Sequence, residues 1–223
     1  MILQGVNYLF GALFNKHRAY INRSLSYLHR QRKIDRNYLD YIRLSSLELV
    51  SSEINNAQLA GAVAELGVYK GKFSRYINQY FPERKLYLFD TFNGFNEKDI
   101  ELEVNKSFSS GEQDFANTSV KKVLNLMPFP NQCIIKEGYF PDTAEGLEEK
   151  FVFVSIDTDL FEPIYNGLAY FYPRLVKGGY IFVHDYNNDG YKGAKEAVKK
   201  FCNENSIGFF PLPDSCGTAV IIK

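Results

Sequence analysis

The strongest constraint on this chain is a change of rhythm near residue 62, after which short apolar runs alternate with longer stretches of helical pattern. Strands are expected at residues 62–66, 86–89, 133–135, 151–156 and 180–183. Helices are expected between them at 74–80, 120–126 (ended by Pro128), 164–172 and 194–203. The last segment, IGFFPLPDSCGTAVIIK, reads as two strands around a turn at 213–217. Alternation of this kind predicts an α/β fold, a mostly parallel sheet with helices on both faces. The closing hairpin adds one antiparallel strand at the far side.

The first sixty residues read differently. Tyr38, Ile42, Leu44, Leu47, Val50 and Ile54 recur near one face at a helical period. The chain therefore divides into an N-terminal helical extension, 1–60, and an α/β domain, 61–223. Between residues 16 and 43 the extension is basic: Lys16, Arg18, Arg23, Arg30, Arg32, Lys33, Arg36 and Arg43 face only Asp35 and Asp40. A solvated helix face accounts for such a run. So would a surface for an anionic substrate, a second copy of the chain in a homo-oligomer, or peripheral contact with a membrane. Residues 94–119 are long, polar and without a clear period, which predicts a lid over the ligand edge of the sheet.

Bulk properties narrow the function. Lysine plus arginine and aspartate plus glutamate each number 26, so no global field favours nucleic acid. Aromatic residues make up 16% of the chain, all Tyr and Phe, and suit core packing or a lined pocket. Cys133, Cys202 and Cys216 are sparse, odd in number and lack metal spacing, as expected of reduced thiols in the cytoplasm. The apolar start, MILQGVNYLFGALF, is too short to span a bilayer and has no basic residue before it.

Three motifs carry chemistry. The first is ELGVYKG, residues 65–71, closing the first strand and opening the next helix. Gly67 permits a sharp turn and close approach of a ligand, and Gly71 lets the helix pack close. A pyrophosphate site would show G-x-G-x-x-G; Glu65 instead suits a cationic ligand. S-adenosylmethionine (SAM), with its sulfonium and ammonium, has the right sign. The second is Asp90, at the end of LYLFD, placed as an acceptor for ribose hydroxyls. The third is a pair of acidic clusters at successive strand ends, SIDTDLF with Asp157 and Asp159, and FVHDYNN with His184 and Asp185. Asp157 and Asp185 could share a cation such as Mg²⁺, and Mn²⁺ gains weight if His184 also binds. A Lewis acid at an alcohol oxygen would lower its pKa, with Asp157 or His184 taking the proton.

With these residues in hand, the chain resembles the macrocin O-methyltransferase family of sugar methyltransferases. The likeness rests on ELGVYKGKFS, LFDTFNGF, EGYFPDT, SIDTDLFEP, YPRLVKGGYIFVHDY and GAKEAVKKF in that order, from about residue 41 to the C-terminus. It implies a Rossmann-like class I SAM methyltransferase fold with a seven-stranded sheet. It implies SAM and a divalent ion, normally Mg²⁺, and methylation of a hydroxyl on a sugar or glycosylated small molecule. Carried onto this chain, Glu65, Gly67 and Gly71 would hold the methionine part of SAM, and Tyr69 would also contact the cofactor. Asp90, with Thr91 and Phe92, would hold the ribose, and Gly138 and Tyr139 would lie near the adenine. Asp157 would be metal ligand and base, and Asp185 a metal ligand. The family commonly has two adjacent aspartates where this chain has His184 and Asp185, which puts the ion in question. Two other readings remain: a glycosyltransferase using the D-x-D at residues 157–159, and a SAM-binding scaffold without turnover.

Overall fold

The computed structural model describes residues 2–16 and 40–223. They fall in two units, residues 2–16 in the first and Asp40–Lys223 in the second. In the first, α1 (Ile2–Leu9) and α2 (Gly11–Lys16) are short helices whose one charged residue is Lys16. Tyr38 and the basic residues 18–36 lie outside the described residues.

The second unit begins with α3 (Tyr41–Asn56), capped by the Asp40 carboxylate, which accepts from the Arg43 amide at 3.0 Å. The helical extension expected over 1–60 is thus divided, and α3 belongs to the larger unit. Leu44, Leu47 and Ile54 of the expected apolar face are buried, whereas Ile42 is 38% exposed.

Seven strands follow, β1 (Ala62–Leu66), β2 (Leu86–Asp90), β3 (Cys133–Glu137), β4 (Phe151–Ile156), β5 (Leu175–Val183), β6 (Phe210–Leu212) and β7 (Thr218–Ile222). They form one sheet in the order β3-β2-β1-β4-β5-β7-β6. The first five are parallel, and β7 runs antiparallel to both neighbours. This is the class I SAM methyltransferase fold. β1 and β4 are buried along their whole length, as strands covered on both faces must be. The helices are α4 (Lys72–Tyr80), α5 (Glu97–Asn105), α6 (Val120–Leu124), α7 (Phe161–Arg174) and α8 (Lys192–Asn205).

Many of the described aromatic residues serve the core. Phe89, Phe140, Phe151 and Phe171 meet one another edge-on or stacked at 5.2–5.7 Å. All three cysteines are free thiols. No helix among the described residues is long and apolar enough to cross a membrane.

Candidate active site

The register of the sheet fixes the site. Leu66 pairs with Phe89 on one side and Ile156 on the other, and Ile156 pairs with Val183. The residues just beyond these strand ends therefore stand at one level. The ladder continues through them: Gly67 N–H donates to the Phe89 carbonyl, Asp157 N–H to Leu66, His184 N–H to Ile156, and Gly138 N–H to Asp90, all at 2.8–2.9 Å. One sheet edge thus gathers Gly67, Asp90, Gly138, Asp157 and His184. Tyr69, Phe92, Asp159 and Asp185, all near this edge, have positive φ, a costly conformation for non-glycine residues and characteristic of functional sites.

The glycine turn is built as follows. Gly67 has φ +86°, and a Cβ there would stand 2.1 Å from the Asp157 carbonyl oxygen. Its glycine therefore serves the close approach of two strand ends as well as the turn. Gly71, φ +72°, opens α4 against Val123 and Met127, where a Cβ would be 3.0–3.1 Å from their side chains. Asp90 clamps the turn: one carboxylate oxygen accepts from the Val68 and Tyr69 amides at 2.6 and 2.8 Å, the other from Phe92 at 2.6 Å. The residue expected to face ribose is thus also the anchor of the turn. Thr91 donates its hydroxyl to the Gly94 carbonyl at 2.6 Å, and Phe92 is buried, so both shape the following loop.

Glu65 lies beneath the turn, 1% exposed, and accepts a hydrogen bond from the Ser74 hydroxyl. Burial pushes its carboxyl up to about 8, against the lowering effect of Ser74. A carboxyl whose folded pKa is raised takes up a proton on folding. Its stabilising contribution is present at acid pH and lost as pH climbs through about 8. Glu65→Gln is expected to flatten this fall in apoprotein melting temperature between weakly acid and weakly alkaline buffers. Equal slopes for variant and wild type would assign the fall to other groups.

Residues 94–119 are not a structureless lid. They contain α5, begun by an Asn96 cap, and its buried face is acidic: Asp99 and Glu103. The Tyr139 hydroxyl donates to Asp99 at 3.0 Å. Glu103 accepts from the Phe161 amide at 2.7 Å, at the start of α7, and from Ser109 at 3.0 Å. Beyond α5 the segment reaches the glycine turn, where Tyr69 donates to Asn117 at 2.8 Å, Thr118 donates to the Tyr69 carbonyl, and Phe115 packs edge-on against Tyr69.

Asp157, His184 and Asp185 come together as the sequence predicts. His184 Nδ1 is 2.7 Å from Asp185 Oδ2 and 3.1 Å from Asp157 Oδ1. The other Asp157 oxygen receives Arg43 Nη1 at 3.0 Å. Asp185 Oδ1 accepts from Asn188 at 2.7 Å. Burial alone would raise the Asp157 carboxyl, but His184 and Arg43 hold it well below the usual carboxylate range. Burial would likewise lower His184, but Asp157 and Asp185 hold it up, at about 10. Asp159 is pushed well up by burial and by the neighbouring Asp185 and Asp157 carboxylates.

Arg43 is the residue that sequence reasoning missed. Grouped with a solvated basic face, it is in fact 3% exposed and points at the sheet edge. The available signal was its place, four, seven and eleven residues before Leu47, Val50 and Ile54, on their helical stripe.

Comparison with known proteins agrees with this architecture. The sequence pattern of the family described as macrocin-O-methyltransferase (TylF) matches residues 28–218. No curated protein matches by sequence. Similar solved structures include the O-methyltransferase NovP, at TM-score 0.65 and 20% identity over 81% of this chain and 79% of that one. They include CalS11, calicheamicin methyltransferase, at 0.65 and 20% over 81% and 78%. TomG of Streptomyces achromogenes, an O-methyltransferase of tomaymycin synthesis solved with SAM, follows at 0.53 and 11% over 80% of each chain.

Proposed function

Because the chain belongs to the macrocin O-methyltransferase family, whose pattern spans residues 28–218, we propose that it transfers the methyl group of SAM to a hydroxyl of a sugar or glycosylated small molecule. The observation that carries the reading is the single sheet edge on which the glycine turn, Asp90 and the Asp157–His184–Asp185 cluster meet. CalS11 is also described as TDP-rhamnose 3'-O-methyltransferase, which supports a sugar acceptor.

The acid-rich edge suits a cationic cofactor. Glu65 and the turn through Gly67, Tyr69 and Gly71 would hold the methionine part, with Asp90 and the 91–92 loop at the ribose and Gly138 and Tyr139 at the adenine. When bound, SAM supplies an electrophilic methyl group for in-line attack by the acceptor oxygen. The proton of that hydroxyl goes to the Asp157–His184 pair. Its pKa, raised to about 10, keeps His184 charged at neutral pH, so it must give up its own proton before it can take that of an alcohol. Asp157 fixes the ring by its contact with Nδ1. The segment over Tyr69 would exclude water from the reacting atoms.

The divalent ion that the family resemblance implies would have to be held by Asp157, Asp185 and His184. Their donor atoms lie within 4.8 Å of one another, which by distance alone admits an ion. The arrangement does not fit one, because each of the four carboxylate oxygens already has a partner: His184 and Arg43 on Asp157, His184 and Asn188 on Asp185. His184 Nδ1 faces both carboxylates.

Incubation with methyl-labelled SAM and a panel of deoxysugar nucleotides, TDP-rhamnose among them, tests the reading. Label is expected on a sugar hydroxyl. SAM binding without transfer to any acceptor would favour the scaffold reading instead.

A further inference from the structure

The helices α1 and α2 leave large apolar side chains in solvent. In α1, Ile2 and Leu9 stand seven residues apart, two helical turns, on one face, and Gln4 lies on the other. Ile2 is 85% exposed and Leu9 76%, and Leu13 in α2 is 52% exposed. Tyr8, 88% exposed, adds a ring with a polar tip, the kind of side chain that settles where apolar and wet surroundings meet. At the 1.5 Å rise per residue, α1 is about 12 Å long, far short of the roughly 30 Å hydrocarbon core of a bilayer. Its length and its apolar face suit lying on a membrane surface rather than crossing one.

Charge decides what covers this face. The first 34 residues of the sequence contain six lysines and arginines and no aspartate or glutamate. Lys16 closes α2 and is exposed. Arg18 and Arg23 follow it by two and seven residues, so the chain holds them within about 7 and 25 Å of it in any conformation. All 26 acidic residues come later, which leaves residues 35–223 net negative. An anionic lipid surface meets both properties, taking apolar side chains between its acyl chains and basic ones at its headgroups. A second copy of the chain does not, because pairing two such apolar faces about a twofold axis would bring two basic runs together.

We propose that α1 and α2, with the basic residues that follow them in the sequence, dock the protein on an anionic membrane surface. The contact is peripheral: apolar side chains supply the insertion, and the basic residues select negatively charged lipid. It goes beyond the methyltransferase reading and does not rest on it, since it holds whatever acceptor the sheet edge serves.

The test is co-flotation of the whole chain with vesicles of phosphatidylcholine and phosphatidylglycerol, and with vesicles of phosphatidylcholine alone. Light scattering and thermal melting are run on the same samples. Wild type is expected to bind the anionic vesicles at least about tenfold more tightly than the neutral ones, and to be released by high salt. Because residues 35–223 are net negative, the charge of the remaining chain cannot produce that preference. Leu9→Gln combined with Leu13→Gln is expected to weaken vesicle binding at least about tenfold, with the melting temperature unchanged because both side chains are exposed. Arg18→Gln combined with Arg23→Gln is expected to weaken it about fivefold for each charge removed. A wild type that floats with neither kind of vesicle, or equally with both, would overturn the proposal, and so would either double variant that floats like wild type. Should the leucine pair fail to fold, Ile2→Gln takes its place under the same criterion. A wild-type dimer that the leucine pair converts to a monomer, with no vesicle binding by either protein, would assign the face to a second copy of the chain instead.

Discussion

Asp157→Asn is expected to lower the methyl-transfer rate by about 10²- to 10⁴-fold, the range typical of a lost general base, while SAM affinity stays near that of wild type. The substitution preserves shape, so the sheet edge keeps its geometry. What changes is charge. The amide presents one oxygen and one nitrogen to partners that both donate: Arg43 at 3.0 Å and His184 at 3.1 Å. His184 loses the carboxylate that orients it, and Arg43 is left buried beside a neutral group. A fall in melting temperature should accompany the loss of rate, because the buried Arg43 loses its ion pair with Asp157. The rate must therefore be read well below the melting transition, with SAM affinity as the control for an intact turn. A rate like that of wild type would remove Asp157 from the chemistry.

Gly67→Ala is expected to be the more damaging change to the molecule as a whole. A left-handed backbone at φ +86° costs a non-glycine residue roughly 1–2 kcal/mol by itself. The added methyl would also overlap the backbone of Asp157, at 2.1 Å from its oxygen and 2.6 Å from its carbonyl carbon. Backbone in the middle of a parallel sheet cannot step aside as a side chain can, so β1 and β4 would have to part at their ends. Soluble yield and melting temperature should both fall sharply, and any folded fraction should have lost SAM binding. A variant that melts like wild type would show that the two strand ends can separate freely, and the close approach would then carry no constraint.

These two residues also show how far the sequence could be read. Residues 62–66 and 151–156 emerge as strands with the bounds the structure gives them, because both are buried along their whole length and appear as apolar runs broken only by Glu65 and Ser155. β5 begins at Leu175, five residues before the strand expected there, because Lys177, Gly178 and Gly179 interrupt the apolar run. α5 was not legible at all. Its buried positions, Asp99 and Glu103, are four apart on one face, yet they are carboxylates, so no apolar stripe announces a helix. Their burial makes sense only in three dimensions, where Tyr139, Ser109 and the Phe161 amide satisfy them.

The site divides in the same way. Strand-end motifs locate Glu65, Asp90, Asp157, His184 and Asp185, because parallel topology brings successive strand ends to one edge. Spacing could not reveal that Asp90 holds the glycine turn through the Val68 and Tyr69 amides, since those bonds depend on backbone direction. Nor could it bring Arg43 to Asp157, which lies 114 residues away along the chain. A charged residue on an otherwise apolar helical stripe is the signal that would have raised the question, and the acidic edge is its answer.

Calorimetric titration of SAM into the purified protein, with no metal added, tests the central claim most directly. The account predicts binding of one SAM per chain in the micromolar range, lost on Gly67→Ala and kept on Asp157→Asn. No heat of binding from a protein shown by melting to be folded would contradict it, and the acidic sheet edge would then have to serve some ligand other than SAM.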